Sequence, residues 1–564
     1  MPRQTISPRA VLAICCFLLF WFLTGDPAGA ASKNASKKQR QQNVIVLLAD
    51  GTGATHTTIA RWFKGGPLAL DRMFLSGMRT YGIDSLVTDS APAATAFATG
   101  FKSNDKFVGI APAEATIPGA PAAVEEKQYK PLATVLEAAK VSGKSVGLVA
   151  TSNIQHASPA GYSAHVRDRS DYNEIAEQQV YLNVDVVFGG GKQYLLPAAQ
   201  GGKRQDGEDL IRVLRDRGTV FIETRDELLK LPSRTKKVWG LFAADAMAYE
   251  FDRPRQFPGQ PSLAEMTRKA IEILSRNPKG FFLFVEGSKV DWASHANDPI
   301  GVISDVLAFD QAVGVALDFA QKNRRTLVLS FSDHGNGGLS LGNKKTDQTY
   351  SKMPLKWLVD PLKKATLTGE GLEAELGDDL SEARIKSVMA EFYGLEDLTS
   401  EEVAAIQKKK KGLLNYVVGP MISSRSVIGW TTNGHTGEDL FFYYYGLYRP
   451  MALIENTAVA KLCADHLRLN LQRTDRELFQ GADLAFAALG ASVAIDAGDP
   501  ANKVLLVTKG SRTARLPFSK DIIQIDGREH RLNGLTVYAD RANNGQGRVY
   551  VPRQAVELFL GRSR

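Results

Sequence analysis

The stretch VIVLLADG, residues 44–51, places an aspartate and a glycine directly after a continuous apolar run. Continuous runs of Val, Leu and Phe are typical of strands buried on both faces, as in parallel sheets. Three further runs of this kind are Ser145–Ala150, Phe281–Val285 and Thr326–Phe331. Helical patterns at Leu132–Ala139 and Ser262–Ser275 lie between the runs. We therefore predict an α/β fold with a doubly wound, mainly parallel sheet.

Polar side chains follow each of the four apolar runs. They are Asp50 after the first run, His156 and Ser158 after the second, Glu286, Asp291 and His295 after the third, and Asp333 and His334 after the fourth. Ligands of open α/β sheets bind beyond the carboxyl ends of the strands, so these groups would meet at one edge. Any single one could be a helix cap or part of a solvated helix face. Together, carboxylates and imidazoles favour a zinc or magnesium site.

The segment TDSAPAATAFATG, residues 88–100, has the features of a helix start. We predict Ser90 as the N-cap, Pro92 in the first turn and the alanines as the continuing helix. Ser90 could serve only as this cap. A helix N-terminus also favours anions, so a serine held there beside a metal ion could act as a nucleophile towards phosphate. The nearby candidates for metal ligands favour the nucleophile.

Six motifs resemble those of the alkaline phosphatase family in order and spacing. They are Asp50-Gly51-x-Gly53, the segment 88–100, His156-Ala157-Ser158-Pro159-Ala160, Glu286-Gly287-x-x-x-Asp291-x-x-x-His295, Asp333-His334 and Gly434-His435-Thr436-Gly437. The resemblance covers about residues 43–470, apart from an insertion before His435. It implies the fold of that family and metal-dependent hydrolysis of phosphate monoesters through a phosphoserine intermediate.

The resemblance also implies two zinc ions and one magnesium ion. Asp291, His295 and His435 would hold one zinc, Asp50, Asp333, His334 and Ser90 the second, and Asp50, Ser158 and Glu286 the magnesium, with His156 beside it. Ser90 would be the nucleophile. Arg169 falls where the family places its phosphate-binding arginine, and Arg167 is the second candidate. Some bacterial members carry Asp and Lys where this chain has His156 and Trp292, so we expect altered affinity for the third ion or altered product release.

Two other functional classes remain as alternatives. The first is a phosphodiesterase or sulfatase of the same fold. Relatives specialised for diesters often use threonine as the nucleophile, and sulfatases mature a [Cys/Ser]-x-Pro-x-Arg motif in which Ala94 replaces the arginine here. The second is a non-catalytic phosphate- or metal-binding protein of the envelope. The complete set of candidate ligands argues against it.

The N-terminus has the features of an export signal. Arg3 and Arg9 precede the apolar run Val11–Leu23, and Ala28-Gly29-Ala30 supplies a small-x-small cleavage site. We therefore predict a signal peptide over residues 1–30, with an uncleaved anchor as the alternative, and a flexible leader over residues 31–42. The mature protein would be periplasmic or secreted.

The remaining chain is expected to divide into a catalytic domain over residues 43–471 and an accessory α+β domain over residues 472–564. Within the catalytic domain, residues 346–430 are predicted to form a helical cap insertion, because Thr399-x-x-Glu402 is a capping box. In the accessory domain, Asp526-Gly527 predicts a hairpin turn. The stretch Tyr550–Glu557 weakly resembles the stalk-like domains of copper amine oxidases, which suggests binding to a cell wall or a protein.

The composition is that of an ordinary globular protein, with 44% hydrophobic and 23% charged residues. It excludes a disordered or collagen-like chain. The 69 basic and 61 acidic residues leave a net charge of +8, which is too mild to indicate a nucleic-acid partner. Three cysteines cannot form a disulfide framework. No segment after the signal is expected to span a membrane. The expected partners are phosphate monoester substrates, and the resemblance implies a homodimer.

Overall fold

A ten-stranded, mostly parallel sheet forms the centre of the protein in this computed structural model, which describes residues 41–119, 122–232, 234–447, 451–539 and 547–562. The predicted signal peptide lies outside the described residues. The strands, numbered in chain order, are β1 Asn43–Ala49, β2 Phe74–Arg79, β3 Ser145–Asn153, β4 Val186–Gly190, β5 Val220–Ile222, β6 Val238–Leu241, β7 Phe281–Gly287, β8 Thr326–Phe331, β9 Gly335–Asn336, β10 Ser340–Leu341, β11 Ile428–Gly429, β12 His435–Thr436, β13 Leu440–Tyr445, β14 Ile454–Glu455, β15 Gln480–Gly481, β16 Ser492–Asp496, β17 Val504–Lys509, β18 Arg512–Pro517, β19 Ile522–Ile525, β20 Arg528–Arg531, β21 Val537–Ala539 and β22 Arg548–Val551.

The strand order of the central sheet is β14-β2-β13-β8-β1-β7-β3-β4-β6-β5. Only β13 runs antiparallel to its neighbours β2 and β8 among these described strands. The pairs Leu48–Phe331, Ala49–Gly287 and Ala150–Glu286 align the carboxyl ends of β8, β1, β7 and β3. The predicted parallel sheet is confirmed, and four adjacent strands deliver their following residues to the same edge.

Helices cover both faces of this sheet, as the doubly wound fold requires. In chain order they are α1 Ala54–Lys64, α2 Ser90–Thr99, α3 Val135–Val141, α4 Ala157–Ser163, α5 Tyr172–Leu182, α6 Leu210–Asp216, α7 Arg225–Lys230, α8 Arg253–Gln256, α9 Leu263–Leu274, α10 Lys289–His295, α11 Pro299–Lys322, α12 Leu355–Lys363, α13 Gly369–Leu376, α14 Glu382–Tyr393, α15 Ser400–Gln407, α16 Asn415–Arg425, α17 Ala458–Leu467, α18 Leu471–Leu478, α19 Ala482–Ala487 and α20 Arg553–Phe559. Because β1 alternates its side chains, Val46 belongs to the hydrophobic core that includes Phe97 of α2, whereas Ile45 belongs to a second core with Met266 of α9 and Phe309 of α11.

One helix corrects an expectation about membrane segments. The sequence was expected to hold no later stretch long and apolar enough to cross a membrane, but Pro299–Lys322 has 24 residues and a mean hydropathy of 1.6 over its most apolar window. That window is 78% buried inside the protein. Helix α11 is mostly buried because it packs against the sheet and against helices α9 and α10, as a core helix does.

The insertion before His435 forms helices α12 to α16. Thr399 caps α15 and shares a capping box with Glu402, as predicted from the sequence. The buried faces of these helices share one hydrophobic core with α1, α10 and α11. The insertion therefore packs against the helix that carries Asp291 and His295. Its limits at residues 346 and 430 remain a prediction.

The C-terminal part contains a five-stranded antiparallel sheet, β16-β17-β18-β19-β20, and a three-stranded one, β15-β22-β21. Asp526 and Gly527 connect β19 to β20 with φ angles of 48° and 80°, which fits the predicted hairpin turn. This part has a hydrophobic core of its own, which includes Phe486, Leu516 and Phe559. Its assignment as a separate accessory domain remains a prediction.

Candidate active site

The polar groups predicted for the carboxyl edge of the sheet lie there in the structure. Asp50 follows β1, Glu286 lies in β7, Asp333 and His334 follow β8, Ser158 lies in α4 after β3, and Asp291 and His295 lie in α10 after β7. His435 arrives from another direction, in the short strand β12 that pairs with β9. All of these except His295 and His435 are buried.

Ser90 is not the N-cap that the sequence predicted. Helix α2 begins at Ser90, and its N-cap is Asp89, whose carboxylate accepts a hydrogen bond from the backbone N–H of Ala91 at 3.2 Å. Asp and Ser are equally good caps, so the sequence alone could not choose between neighbours. Because Asp89 takes the cap, the Ser90 hydroxyl is available and lies 3.1 Å from Nε2 of His334.

Two groups of side chains could each hold a metal ion. Asp291, His334 and His435 form one, and Asp50, Asp333 and His334 form the other; the candidate ligand atoms of each group lie within 4.8 Å of one another. His295 Nε2 lies 3.3 Å from Asp291 Oδ2, and its ring centre is 5.1 Å from that of His435. The structure thus brings together all residues predicted for the two zinc sites, with His334 stacked on His435 at 3.5 Å between ring centres.

A third group consists of Asp50, His156 and Glu286, again with candidate atoms within 4.8 Å. Ser158, predicted as a ligand of the third ion, is fully buried, and its hydroxyl has no hydrogen-bond partner among the described residues. Asp50 belongs to both the second and the third group. This shared carboxylate is what the sequence-based ligand sets require.

The residues at this edge fit metal ions, because several of their buried oxygen atoms have no hydrogen-bond partner. Both carboxylate oxygens of Asp50, Asp333 Oδ2 and Glu286 Oε1 are buried without a hydrogen-bond partner in the described part of the chain. Burial and the neighbouring carboxylates raise the pKa of Asp50 well above its usual value, and burial raises the pKa of Glu286 to about 7. Buried carboxylates this close to one another are stable in their charged form only when cations neutralise them.

Asp291 is the carboxylate that the imidazoles stabilise. Burial by itself would raise its pKa, but the hydrogen bond from His295 and the charges of the neighbouring histidines hold that pKa well below the usual range. Asn336 also donates to Asp291 Oδ1 at 2.6 Å. Asp291 is therefore ionised and oriented, as a metal ligand must be.

Backbone carbonyls orient the three candidate histidine ligands. Nδ1 of His295 faces the carbonyl of Asn433 at 2.6 Å, and Nδ1 of His435 faces that of Thr88 at 3.0 Å. Nδ1 of His334 faces the carbonyl of Gly335 at 3.2 Å. In each case Nε2 is directed to the carboxylate cluster. A hydrogen bond at one ring nitrogen that frees the other is the usual arrangement around a metal-binding histidine.

Arg169 lies beside the start of α2. Its Nη1 donates to Asp89 Oδ1 at 2.5 Å, and its Nη2 lies 3.1 Å from Nε2 of His156. Arg167, the second candidate, lies over the ring of Tyr129 at 5.4 Å. The structure thus places Arg169 next to Ser90 through Asp89. The opposite charges of Arg169 and Asp89 hold the pKa of Asp89 low although burial opposes this.

Two functional candidates were missed by the sequence analysis. Asp89 caps helix α2 and binds Arg169. The sequence could have indicated it, because aspartate is as good a capping residue as the neighbouring Ser90. Asn336 fixes Asp291, but no pattern in the sequence pointed to it, because its role depends on the pairing of β9 with β12. His156 and Trp292 do meet, with ring centres 5.8 Å apart in an edge-to-face arrangement.

A site with a serine at a helix N-terminus, beside buried carboxylates and imidazoles at the edge of an α/β sheet, has the side chains that a metal-dependent hydrolase uses. Residues 41–469 match the family model described as alkaline phosphatase. This chain belongs to the alkaline phosphatase family. It is a phosphoric monoester hydrolase.

Individual relatives agree with this assignment. The chain is 33% identical to Alkaline phosphatase 3 of Bacillus subtilis, over 84% of this chain and 99% of that protein. It is 32% identical to the Repressible alkaline phosphatase of Saccharomyces cerevisiae, over 83% of this chain and 89% of that one. The crystal structure of Thermus thermophilus alkaline phosphatase has a TM-score of 0.66 and 28% identity, covering 79% of this chain and 96% of its own.

Proposed function

We propose that this chain hydrolyses phosphate monoesters through a phosphoserine on Ser90, with two zinc ions and one magnesium ion. The position of Ser90 carries the proposal: its hydroxyl stands at the N-terminus of α2, 3.1 Å from His334. The positive end of the helix dipole at a helix N-terminus favours a bound phosphate. A serine that served only as a cap would instead bond to the backbone of its own helix, and Asp89 already does so.

The proposed ligand sets are those that the family resemblance implies, and their residues lie in or beside the three groups at the sheet edge. Asp291, His295 and His435 would hold one zinc, Asp50, Asp333, His334 and Ser90 the other, and Asp50, Ser158 and Glu286 the magnesium, with His156 beside it. The unsatisfied carboxylate oxygens and the orientation of the imidazoles support these sets. When bound, the ions supply positive charge that stabilises the attacking and leaving oxygens of an in-line displacement.

The chain's own residues then carry the chemistry. The Ser90 oxygen attacks phosphorus, the bond from phosphorus to the ester oxygen breaks, and the hydroxyl proton ends on the departing alcohol. Water next cleaves the phosphoserine, which releases phosphate and restores Ser90. Arg169 holds two phosphate oxygens through its planar guanidinium, because Asp89 and His156 fix its orientation. The protein contributes mainly position and charge, as phosphoryl transfer requires.

Phosphate release from p-nitrophenyl phosphate at alkaline pH tests this function. The protein loaded with zinc and magnesium is expected to be active, and Ser90→Ala to lower kcat at least about a thousandfold. A chelator should abolish activity, and added zinc and magnesium should restore it. Ser492→Ala, at an exposed position in the C-terminal sheet, is the matched control and should leave kcat unchanged. Activity that persists in Ser90→Ala would contradict the serine nucleophile.

The alternative substrates can be separated in the same assay. A monoester carries one more negative charge than a diester or a sulfate ester, and Arg169 is placed to bind it. We therefore expect p-nitrophenyl phosphate to be hydrolysed faster than bis-p-nitrophenyl phosphate and p-nitrophenyl sulfate. A higher kcat/KM for either of the latter would favour the phosphodiesterase or the sulfatase. Export and a homodimeric assembly remain predictions.

A further inference from the structure

Lys289 is a buried cation in helix α10, two residues before Asp291. Its side chain is 3% exposed. The ammonium group donates to the backbone carbonyl of Met247 at 3.1 Å and to Glu370 Oε2 at 3.0 Å. It also lies 4.0 Å from the ring centre of Tyr249. A lysine is buried only when it is paired in this way, so its position is tightly defined.

Lys289 connects two parts of the molecule. Glu370 lies in the first turn of α13, within the insertion, and its side chain is 42% exposed. On the other side, the Lys289 ammonium lies 5.1 Å from the ring centre of Trp292, one turn further along α10. A cation at the face of a tryptophan attracts the ring and restricts its rotation. The insertion is thereby joined to Trp292 through one buried charge.

Trp292 in turn contacts His156, which lies beside Arg169. Its ring lies edge-to-face with His156, with centres 5.8 Å apart. Nε2 of His156 in turn lies 3.1 Å from Nη2 of Arg169, within hydrogen-bond distance. Each of these contacts restricts the next side chain. A continuous series of contacts therefore leads from Glu370 through Lys289, Trp292 and His156 to Arg169.

We propose that Lys289 is a positioning residue that holds Trp292 against His156, so that the insertion helps to fix Arg169 for phosphate. The inference rests on the proposed function, since it assumes that Arg169 binds phosphate. Without the cation, Trp292 could rotate away from His156, and Arg169 would lose one of its two fixed partners. Phosphate and substrate would then bind more weakly, whereas the attack by Ser90 on bound substrate would be little affected.

The test measures equilibrium binding of inorganic phosphate by calorimetry on the zinc- and magnesium-loaded full chain, together with metal content, KM and kcat. We expect Lys289→Met to raise the Kd of phosphate and the KM by about tenfold, with kcat lowered by no more than about twofold. Lys289→Arg, which keeps the cation, should restore Kd to within about twofold. Lys269→Met is the control, because Lys269 is also poorly exposed but lies on α9 and pairs with Glu272.

Each outcome decides the proposal. An unchanged Kd in Lys289→Met overturns it, as does a rise that accompanies loss of zinc or magnesium, because that would place the effect at the metals. If Lys289→Met does not fold, Glu370→Gln decides, with an expected rise of about threefold in Kd; no rise overturns the proposal. Failure of the proposed function is distinguishable, because it would show as absence of phosphatase activity in the wild-type protein.

Discussion

Gly51 is the residue at which the candidate metal site leaves no room for a side chain. It follows Asp50 with a φ of 64°, and a Cβ there would stand 2.6 Å from Asp291 Oδ1 and 2.8 Å from the Asp291 Cα. Its N–H also donates to Asp333 Oδ1 at 3.2 Å. A glycine is therefore required both by the backbone conformation and by the closeness of two carboxylates.

We predict that Gly51→Ala lowers zinc content and reduces kcat/KM by about a hundredfold, because the new methyl group displaces Asp291. Metal analysis and p-nitrophenyl phosphate hydrolysis measure both effects. The matched control is Gly207→Ala, since Gly207 has a φ of 76° but no atom within 4 Å of a Cβ. It should cost about 1 kcal/mol of stability and no activity. Equal zinc content in the two variants would show that Asp291 is not displaced.

At the level of elements, His165 joins the loop before Arg169 to helix α3. Its Nδ1 faces the carbonyl of Gly109 at 2.8 Å, and its Nε2 faces Glu137 Oε1 at 3.0 Å. Because both ring nitrogens face acceptors, both must carry a proton, and the imidazolium is the form that fits. Although burial opposes the charge, Glu137, the Gly109 carbonyl and Asp475 raise the pKa of His165 above its usual value.

The raised pKa of His165 predicts a loss of stability in alkaline solution. A histidine whose folded-state pKa lies above the unfolded value of about 6.5 stabilises the fold fully below that value, and this contribution is lost as the pH rises through the folded-state pKa. The free energy of unfolding of the wild type should therefore exceed that of His165→Gln by about 1–3 kcal/mol at pH 6 and by less at pH 10. Urea unfolding at both pH values measures this; a difference that does not shrink would contradict it.

Elements and site residues differ in how far the sequence determines them. The run Thr326–Phe331 predicts its strand to the residue, because all six of its residues are buried, as a strand covered on both faces requires. The run Ser145–Ala150 ends three residues before the end of β3. Thr151, Ser152 and Asn153 are polar and therefore fall outside an apolar pattern, although they are buried and the first two form hydrogen bonds with Ser288. The ligand candidates follow from motif order. Their orientation by Asn336, Asn433 and Thr88 depends on loops that meet only in three dimensions.

At the scale of the whole molecule, ion pairs join the C-terminal part to the catalytic part. Lys520 donates to Glu208 at 2.9 Å and lies 3.2 Å from Glu177. Arg217, which follows α6, donates to both carboxylate oxygens of Asp521 at 2.7 and 3.0 Å. These bonds lie within the one compact unit that the described residues from Gln41 onward form.

The Arg217–Asp521 pair leads to a prediction that a substitution there lowers stability but leaves activity almost unchanged. Their side chains are only 6% and 9% exposed, so Asp521→Asn leaves a buried guanidinium without its carboxylate. We expect a loss of about 3 kcal/mol in the free energy of unfolding, because an uncompensated buried charge costs more than the pair contributes. The activity at 25 °C should stay within about twofold, since Asp521 contacts none of the candidate site residues.

Asp226→Asn is the matched control for this prediction. Asp226 also pairs with a cation, Lys230, but both side chains are more than 70% exposed, so solvent screens the charges and the stability should not change measurably. Denaturant unfolding of the three proteins, followed by tryptophan fluorescence and by phosphatase activity, separates the two effects. If Asp521→Asn loses activity at denaturant concentrations where fluorescence still reports a folded protein, the C-terminal part supports the site as well as the fold, and the expected independence of stability and activity is wrong.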